Sequence, residues 1–327
     1  MESYAFGFDI GGTNTECGLV RADGTIVWRS RVATEPQKGN EHVMGLVAGQ
    51  VRRCLRETGV AAAAVCGSGI GMPGLIEPRE GVSIHSTNLL FRNYPVAAKI
   101  RELTGLPAYV ENDVRLYVYG EARYGAGRNY RHVLGLTLGT GLAAALINEG
   151  RIYLGGGYPG EIGHIPVDGI PYPCGCGLHG CLETAVSATG LVRQAVEALG
   201  SGSYADSLLH ACDPAKLTAK DISDAYDRGD ALAKAVMDKT GRLLGRTLSY
   251  LVPMVSPDLI LAGGGAAKAG ERLLGPAREE LYANLMPVYR ERLVFTTGEL
   301  GDDAGILGSA TLAFERSREA RAQGDRA

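Results

Sequence analysis

The 327-residue sequence lacks several features that would point to a membrane protein, a secreted protein or a nucleic-acid-binding protein. No apolar run approaches the roughly 20 residues that a membrane-spanning helix needs. The N-terminal residues have no cationic start followed by an apolar segment, so no secretory leader is predicted. A net charge of −3 and a pI of about 6.1 provide no basic excess for nucleic acid. We therefore expect a soluble cytoplasmic protein without membrane or nucleic-acid partners.

Three glycine turns follow apolar strands: DIGGT (residues 9–13), LGTG (138–141) and AGGG (262–265). None of the three matches the Walker pattern GxxxxGK[ST] or the dinucleotide pattern GxGxxG. Backbone amides in such turns can point at phosphate oxygens, although a hairpin also needs glycine for its geometry alone. Because there are three turns, we expect a nucleotide site held between two domains. Its predicted residues are Asp9, Gly11, Gly12, Thr13, Gly139, Thr140, Gly141, Gly264 and Gly265.

The pattern of strand, glycine turn, strand, tight turn and strand at the start of the chain returns about 128 residues later. An internal duplication explains this repeat, so we expect two related α/β domains that face each other across a cleft. No low-complexity linker separates the halves. The predicted division is an N-terminal domain over 1–113 and a larger domain over 114–311. A C-terminal helix over about 312–327 could pack back on the first domain.

The seven cysteines fall into two groups. Cys17, Cys54, Cys66 and Cys212 are scattered, and we expect ordinary buried or half-buried thiols there. Cys174, Cys176 and Cys181 lie within eight positions among glycines, and His164 precedes the first of them by ten residues. In a reducing compartment this pattern favours a tetrahedral Cys₃His zinc site over disulfides. No open position remains, so the zinc would be structural; free thiols in a glycine-rich loop are the alternative.

Several polar residues stand where chemistry is expected. Asn112 and Asp113 lie at a passage from strand to helix, where Asp113 could accept a sugar hydroxyl proton during attack on a γ-phosphoryl group; a plain helix N-cap is the alternative. Asp9 could support Mg²⁺ on ATP, or could only stabilise its turn. Three further side chains are predicted to contact vicinal sugar hydroxyls, with zinc bracing their loop. They are Glu161, His164 and Glu183.

The chain resembles sugar kinases of the ROK family (repressors, open reading frames, kinases), which have an actin and hexokinase-like (ribonuclease H-like) fold. DIGGT, GxGMPG at 69–74, END, LGTG, GEIGH, CGCGLHGCLE and LAGGG occur in family order over nearly the whole chain. The resemblance implies ATP with Mg²⁺, a structural zinc and Asp113 as the catalytic base. It implies the sugar ligands Asn112, Glu161, His164 and Glu183, and the zinc ligands His164, Cys174, Cys176 and Cys181. A likeness to N-acetylmannosamine kinases over 74–89 places Gly74, Thr87 and Asn88 near the sugar.

The expected activity is ATP-dependent phosphorylation of a free hexose, with glucose at its 6-hydroxyl as the first candidate. N-acetylmannosamine, N-acetylglucosamine, allose, mannose and fructose remain open, because Tyr158-Pro159 stands where smaller residues are common in the family. The second turn also departs from the family as GTGLAAAL. A sugar-sensing transcriptional regulator is disfavoured, since a first strand beginning by Tyr4 leaves no room for a helix-turn-helix. An inactive sugar-binding protein is disfavoured by Asp113. We expect a homodimer or homotetramer.

Overall fold

The computed structural model describes residues 3–324, and residues 325–327 of the predicted C-terminal helix lie outside that range. The strands are β1 (Tyr4–Ile10), β2 (Asn14–Arg21), β3 (Ile26–Ala33), β4 (Val65–Met72), β5 (Leu75–Glu77), β6 (Val82–Ser86), β7 (Phe91–Tyr94), β8 (Ala108–Asn112), β9 (Val133–Leu138), β10 (Leu142–Asn148), β11 (Arg151–Ile152), β12 (Leu259–Gly263) and β13 (Val294–Thr297). The helices are α1 (Asn40–Thr58), α2 (Val96–Thr104), α3 (Asp113–Tyr124), α4 (Glu183–Val186), α5 (Ala188–Gly200), α6 (Ala219–Asp227), α7 (Ala231–Val255), α8 (Glu271–Ala283), α9 (Pro287–Arg290) and α10 (Asp303–Gly324).

Two five-stranded sheets repeat one arrangement. The first has the order β3-β2-β1-β4-β8, and the second has the order β11-β10-β9-β12-β13. In each, a hairpin turning on glycines is antiparallel, and the first strand of the hairpin pairs in parallel with a later strand. This confirms the predicted repeat. A third, three-stranded sheet with the order β5-β6-β7 was not predicted.

The contacts divide the chain into two compact units. Unit 1 contains residues 1–129, 150–158 and 299–327, and unit 2 contains residues 130–149 and 159–298. Helix α3 and the C-terminal helix α10 both belong to unit 1, where α10 packs on α3, β1 and β4. The division at Asp113 stays a prediction from sequence.

Glycines allow α10 to approach the sheet of unit 1 closely. A Cβ atom on Gly7 of β1 would lie 2.0 Å from the carbonyl oxygen of Ile306, and one on Gly69 of β4 would lie 1.7 Å from that of Ser309. The Ser309 hydroxyl donates to the carbonyl of Phe8 over 2.8 Å. Helix α10 therefore packs directly on β1 and β4 and is part of the core of unit 1.

Unit 2 has a leucine-rich core in which α5 and α8 pack on the 25-residue helix α7. Residues 218–255 have helical spacing throughout but divide into α6 and α7, because Gly229 adopts a φ of 89° and the Asp230 carboxylate caps α7 at Ala233. Between α5 and α6, Leu208–Ala211 forms a 3₁₀ turn. Within residues 3–324, no helix is both long and apolar enough to cross a membrane.

Candidate active site and metal site

The predicted metal ligands come together in unit 2. One ligand atom each from His164, Cys174, Cys176 and Cys181 lies within 4.8 Å of all the others. The Cys174 sulfur lies 3.5 Å from Nδ1 of His164, and the sulfurs of Cys176 and Cys181 lie 3.6 Å apart. Three thiols and one imidazole nitrogen at these separations form a compact set of possible metal ligands.

The separations between these ligand atoms fit zinc. Zinc–sulfur bonds of about 2.3 Å and zinc–nitrogen bonds of about 2.0–2.1 Å place two sulfurs about 3.8 Å apart in a tetrahedron, and a sulfur about 3.6 Å from a nitrogen. Because Nδ1 of His164 faces Cys174, its Nε2 is left on the other side, 3.9 Å from a carboxylate oxygen of Glu161. With this orientation, Nδ1 of His164 can bind a metal while Nε2 donates to a bound ligand.

Glycines and backbone hydrogen bonds shape the cysteine loop. Gly177 and Gly180 have φ angles of 94° and 74°, which residues with a side chain rarely adopt. The Cys174 amide donates to the Leu178 carbonyl over 2.8 Å, and the Gly180 amide donates to the Tyr172 carbonyl over 2.9 Å. The loop is therefore folded by its own backbone around the ligand atoms.

The other four cysteines are ordinary thiols. Cys17 and Cys54 are buried, Cys66 and Cys212 are half-buried, and all four are free. Burial raises the pKa of the Cys54 thiol to about 11. This confirms the expectation for these positions.

Glu183 links the cysteine loop to the second glycine turn. It is the first residue of α4, and its Oε2 accepts a 2.9 Å hydrogen bond from the amide of Leu142. A Cβ atom on Gly141 would lie 2.4 Å from that oxygen, so glycine is required for the approach. Glu183 is thereby fixed beside the turn over 139–141.

The second and third glycine turns adjoin in unit 2. Strands β9 and β12 are parallel neighbours and end side by side, with Gly263 paired to Thr137. Gly264 has a φ of 86°, and a Cβ atom there would lie 2.6 Å from the Leu138 carbonyl oxygen. The Ala188 amide at the start of α5 donates to the Gly139 carbonyl over 2.9 Å. The ends of the two parallel strands and the start of α5 therefore lie together, so the second and third glycine turns adjoin.

In unit 1 the first glycine turn lies beside residues 74–89, the predicted sugar segment. The Gly11 amide donates to the Asn14 carbonyl over 2.9 Å, which closes the turn. The position of a Cβ atom on Gly12 is 3.6 Å from Cβ of Asn88. The Thr87 hydroxyl lies 3.2 Å from Nε2 of His85.

Asn112 both caps α3 and reaches the predicted sugar segment. Its Oδ1 accepts from the amides of Val114 and Arg115 over 3.0 and 3.2 Å, and its Nδ2 donates to the Gly74 carbonyl over 3.2 Å. Asp113 is the first residue of the helix, and its Oδ1 accepts from the Val114 amide over 2.9 Å. The cap predicted as an alternative role is therefore present on Asn112, and Asp113 is held at the positive end of the helix.

Asp9 lies in an acidic environment. Desolvation, together with the negative charges of Asp113, Glu16 and Asp302, raises the pKa of its carboxyl group to about 7. Gly305 of α10 is close enough that a Cβ atom there would lie 2.5 Å from an Asp9 oxygen. A cation at this place would offset the repulsion, which suits a site for magnesium-bound phosphates.

The motifs described above lie in both units, and almost the entire chain matches one protein family. Residues 5–316 match the family model described as ROK family. The chain belongs to the ROK family. A glucokinase from Halalkalibacterium halodurans is 36% identical over 96% of this chain and 96% of its own length. A glucokinase from Thermotoga maritima is 35% identical over 95% of this chain and 97% of its own length.

Structural similarity agrees with this assignment. One similar structure is the crystal structure of a ROK family glucokinase from Streptomyces griseus in complex with glucose and AMPPNP. It has a TM-score of 0.79 and 32% sequence identity, and the match covers 96% of this chain and 100% of that chain. ROK-family membership confirms the predicted α/β fold with duplicated actin and hexokinase-like domains.

The predicted site residues of this ROK-family chain divide between the units. Unit 1 contains Asp9, Gly11, Gly12, Thr13, Gly74, Thr87, Asn88, Asn112 and Asp113. Unit 2 contains Gly139, Thr140, Gly141, Glu161, His164, Cys174, Cys176, Cys181, Glu183, Gly264 and Gly265.

Sequence reasoning missed a buried ion pair at the edge of the site. Glu111, next to Asn112, has a side chain only 2% exposed, and it pairs with Arg115 over 3.0 Å. The available signal was their spacing of four residues across a strand end and a helix start, which places both side chains near one junction.

Proposed function

We propose that this ROK-family chain is an ATP-dependent hexose kinase that transfers the γ-phosphoryl group of ATP to the 6-hydroxyl of glucose. The observation that carries the proposal is the 35–36% identity to two glucokinases over 95–96% of this chain. The ROK family glucokinase of known structure was crystallised with glucose and AMPPNP, which is consistent with this pair of substrates.

Asp113 is the proposed general base. As the sugar oxygen attacks the γ-phosphorus, its proton passes to the Asp113 carboxylate, a new phosphorus–oxygen bond forms, and the bond to ADP breaks. The start of α3 favours the charged carboxylate, because the helix dipole is positive there. Asn112 is a proposed sugar ligand, and its Nδ2 bond to Gly74 fixes its orientation. Gly74, Thr87 and Asn88 are proposed to line the same sugar site.

The nucleotide is proposed to bind at the glycine turns. Amides of Thr140 and Gly141, with those of Gly264 and Gly265, would donate to phosphate oxygens. Gly139 would shape the turn, since its amide donates to the Gly141 carbonyl over 2.9 Å. From unit 1, the amides of Gly12 and Thr13 would contribute in the same way, while Gly11 would shape the turn through its bond to Asn14. Mg²⁺ would neutralise charge on the phosphates, and Asp9 would support it from its half-buried position at the end of β1.

Zinc is the proposed structural metal, held by His164, Cys174, Cys176 and Cys181. When bound, it would brace the loop through four strong bonds. Glu161, Nε2 of His164 and Glu183 would then be presented to vicinal sugar hydroxyls. The 3.9 Å separation of His164 and Glu161 and the fixed position of Glu183 beside Leu142 support this arrangement.

The hexose is tested by measuring ADP release with a coupled assay against a panel of sugars. Glucose should give the highest kcat/KM among glucose, mannose, allose, fructose, N-acetylglucosamine and N-acetylmannosamine, and the product should carry phosphate on its 6-oxygen by ³¹P–¹H NMR. A higher kcat/KM for an N-acetylated sugar would keep the kinase and replace the substrate. Absence of turnover with every sugar would reject the kinase proposal.

A further inference from the structure

Arg115 is buried between two parts of unit 1. Its side chain is only 6% exposed, and its guanidinium makes two directed contacts. Nη1 donates to Oε1 of Glu111 over 3.0 Å, and Nη2 donates to the carbonyl of Gly157 over 2.8 Å. One planar group therefore joins the end of β8 to a loop more than 40 positions later in the chain.

The first contact fixes the junction that carries the proposed base. Glu111 Oε1 also accepts from the Asn112 amide over 2.8 Å. Burial raises the pKa of Glu111, and the positive charge of Arg115 opposes that rise. Together these bonds hold the backbone where β8 passes into α3, immediately before Asp113.

The second contact fixes the segment over residues 153–158, which we call the Tyr158 loop. Gly157 has a φ of 122°, and its amide donates to the Leu154 carbonyl over 2.8 Å. The next residue, Tyr158, presents 51% of its surface to solvent. The loop leads in sequence to Glu161, a proposed sugar ligand. A change in the Gly157 carbonyl direction would therefore redirect Tyr158 and the approach to Glu161.

We propose that Arg115 is a positioning residue, which holds the Tyr158 loop and the β8–α3 junction in one arrangement and so determines the affinity for the hexose. The inference rests on the proposed kinase function. A buried ion pair alone is weak evidence for any role, since its desolvation can cancel its attraction. The evidence for a positioning role is the bond from Arg115 to the Gly157 carbonyl. A side chain that only neutralised the charge of Glu111 would not need that second bond. Arginine suits the role because its rigid fork directs two donors at once, whereas lysine offers a single point charge.

Two variants test the proposal from opposite ends. Arg115→Lys keeps a positive charge beside Glu111 but loses the fork. Gly157→Ala leaves Arg115 intact and disturbs the carbonyl, because alanine rarely adopts a φ of 122°. Each should raise KM for glucose by about five- to tenfold, with KM for ATP changed by less than about twofold. Hydrogen exchange over residues 153–158 should become faster in both.

Two matched controls accompany them. Arg128→Lys alters an arginine that likewise contacts a carboxylate, Glu299, and a backbone carbonyl, that of Gly125, but is exposed. Gly156→Ala alters the neighbouring glycine, which has open space at its Cβ position and no left-handed φ. Both controls should retain the glucose KM and the exchange rate of the parent protein.

The outcomes separate the two proposals. Unchanged KM for glucose in both variants, or equal rises in KM for glucose and ATP, would overturn the positioning role. If the parent protein phosphorylates no hexose, the kinase proposal fails. Hydrogen exchange over residues 153–158 then tests by itself whether the bond from Arg115 to Gly157, the tether, holds the Tyr158 loop. Faster exchange in Arg115→Lys but not in Arg128→Lys would support the tether, and equal exchange would overturn it. If Arg115→Lys does not fold, the Gly157→Ala and Gly156→Ala pair gives the same decision.

Discussion

At the scale of single residues, two carboxylates of unit 1 have surroundings that suit different tasks. Asp113 starts a helix, where a backbone amide at 2.9 Å and the helix dipole favour its charged form. Asp9 is half-buried near other acidic groups, and its pKa is raised to about 7. A base needs the first environment, and a group that supports a cation near phosphates can use the second.

Replacing Asp113 by asparagine tests the proposed base. The amide has nearly the same shape and still accepts hydrogen bonds, so glucose binding by calorimetry should be largely retained. Turnover should fall by about 10² or more, because a general base typically contributes 10²–10⁴-fold. Asp224→Asn, which changes an exposed carboxylate paired with Lys220, is the control and should keep its rate. A variant at Asp113 with most of its turnover would leave that residue a purely structural role.

Replacing Asp9 by asparagine tests its raised pKa through stability. The folded protein keeps the Asp9 proton up to about pH 7, whereas the unfolded chain loses it near the ordinary aspartate pKa of 3.8. The free energy of unfolding of the parent protein should therefore fall, relative to Asp9→Asn, as pH rises from about 4 to 7, and then level off. The relative change should be about 4 kcal/mol at most, since one pKa unit corresponds to about 1.4 kcal/mol.

The comparison is made by urea denaturation at several pH values without nucleotide or metal. Asp224→Asn again provides the control, because its exposed carboxylate should not alter the pH dependence in this window. A constant difference between Asp9→Asn and the parent protein across pH 4 to 8 would contradict the raised pKa.

At the scale of elements, the cysteine loop and the glycine turns were predictable because their chemistry is local. Three cysteines among glycines specify a compact loop whatever packs around it, and His164 was within reach by sequence. Strand alternation and glycine turns likewise specify the repeated hairpins. Strands β5, β6 and β7 were missed, because they are three to five residues long and β5 pairs with β6 through a register shift. The Tyr158 loop tether was missed because its partner is a distant backbone carbonyl.

Cys176→Ser tests the metal loop. The parent protein should contain one zinc per chain by elemental analysis, and the variant should lose it while circular dichroism shows most helix content retained. Structural zinc contributes roughly 10–16 kcal/mol of apparent binding free energy in small peptides, but here a core of its own supports unit 2. KM for glucose should rise and kcat should fall, because Glu161, His164 and Glu183 lose their brace.

KM for ATP should change less in this variant. The turn over 139–141 is also held by two bonds that do not involve the cysteine loop. The Ala188 amide donates to the Gly139 carbonyl, and the Thr189 hydroxyl donates to the Thr140 carbonyl. Cys212→Ser, a half-buried thiol outside the cluster, should keep both zinc and kinetics. A parent protein without zinc, or normal glucose kinetics in Cys176→Ser, would favour free thiols in a glycine-rich loop.

At the scale of the whole molecule, the feature that sequence reasoning reached least well is the grouping of distant segments. Periodicity indicates each helix but not the strands on which it packs. The sequence led us to expect that a C-terminal helix could pack back on the first domain, but it did not indicate that α10 contacts β1 and β4. The signal that existed was the glycine content of the strands, such as Gly7 in β1 and Gly69 in β4. In a buried strand, glycine often marks a close approach by another backbone, and here that backbone is α10.

Gly69→Ala tests whether α10 is part of the core of unit 1. A Cβ atom at this position would lie 1.7 Å from the backbone oxygen of Ser309, so the strand and the helix would have to separate. The free energy of unfolding should fall by about 1–3 kcal/mol or more, the usual range for overpacking a core. Gly49→Ala in α1 is the control, because it has open space and should be neutral or stabilising by up to about 1 kcal/mol. Urea denaturation followed by circular dichroism measures both changes. Equal stability of Gly69→Ala and the parent protein would show that α10 does not pack on β4 at this distance.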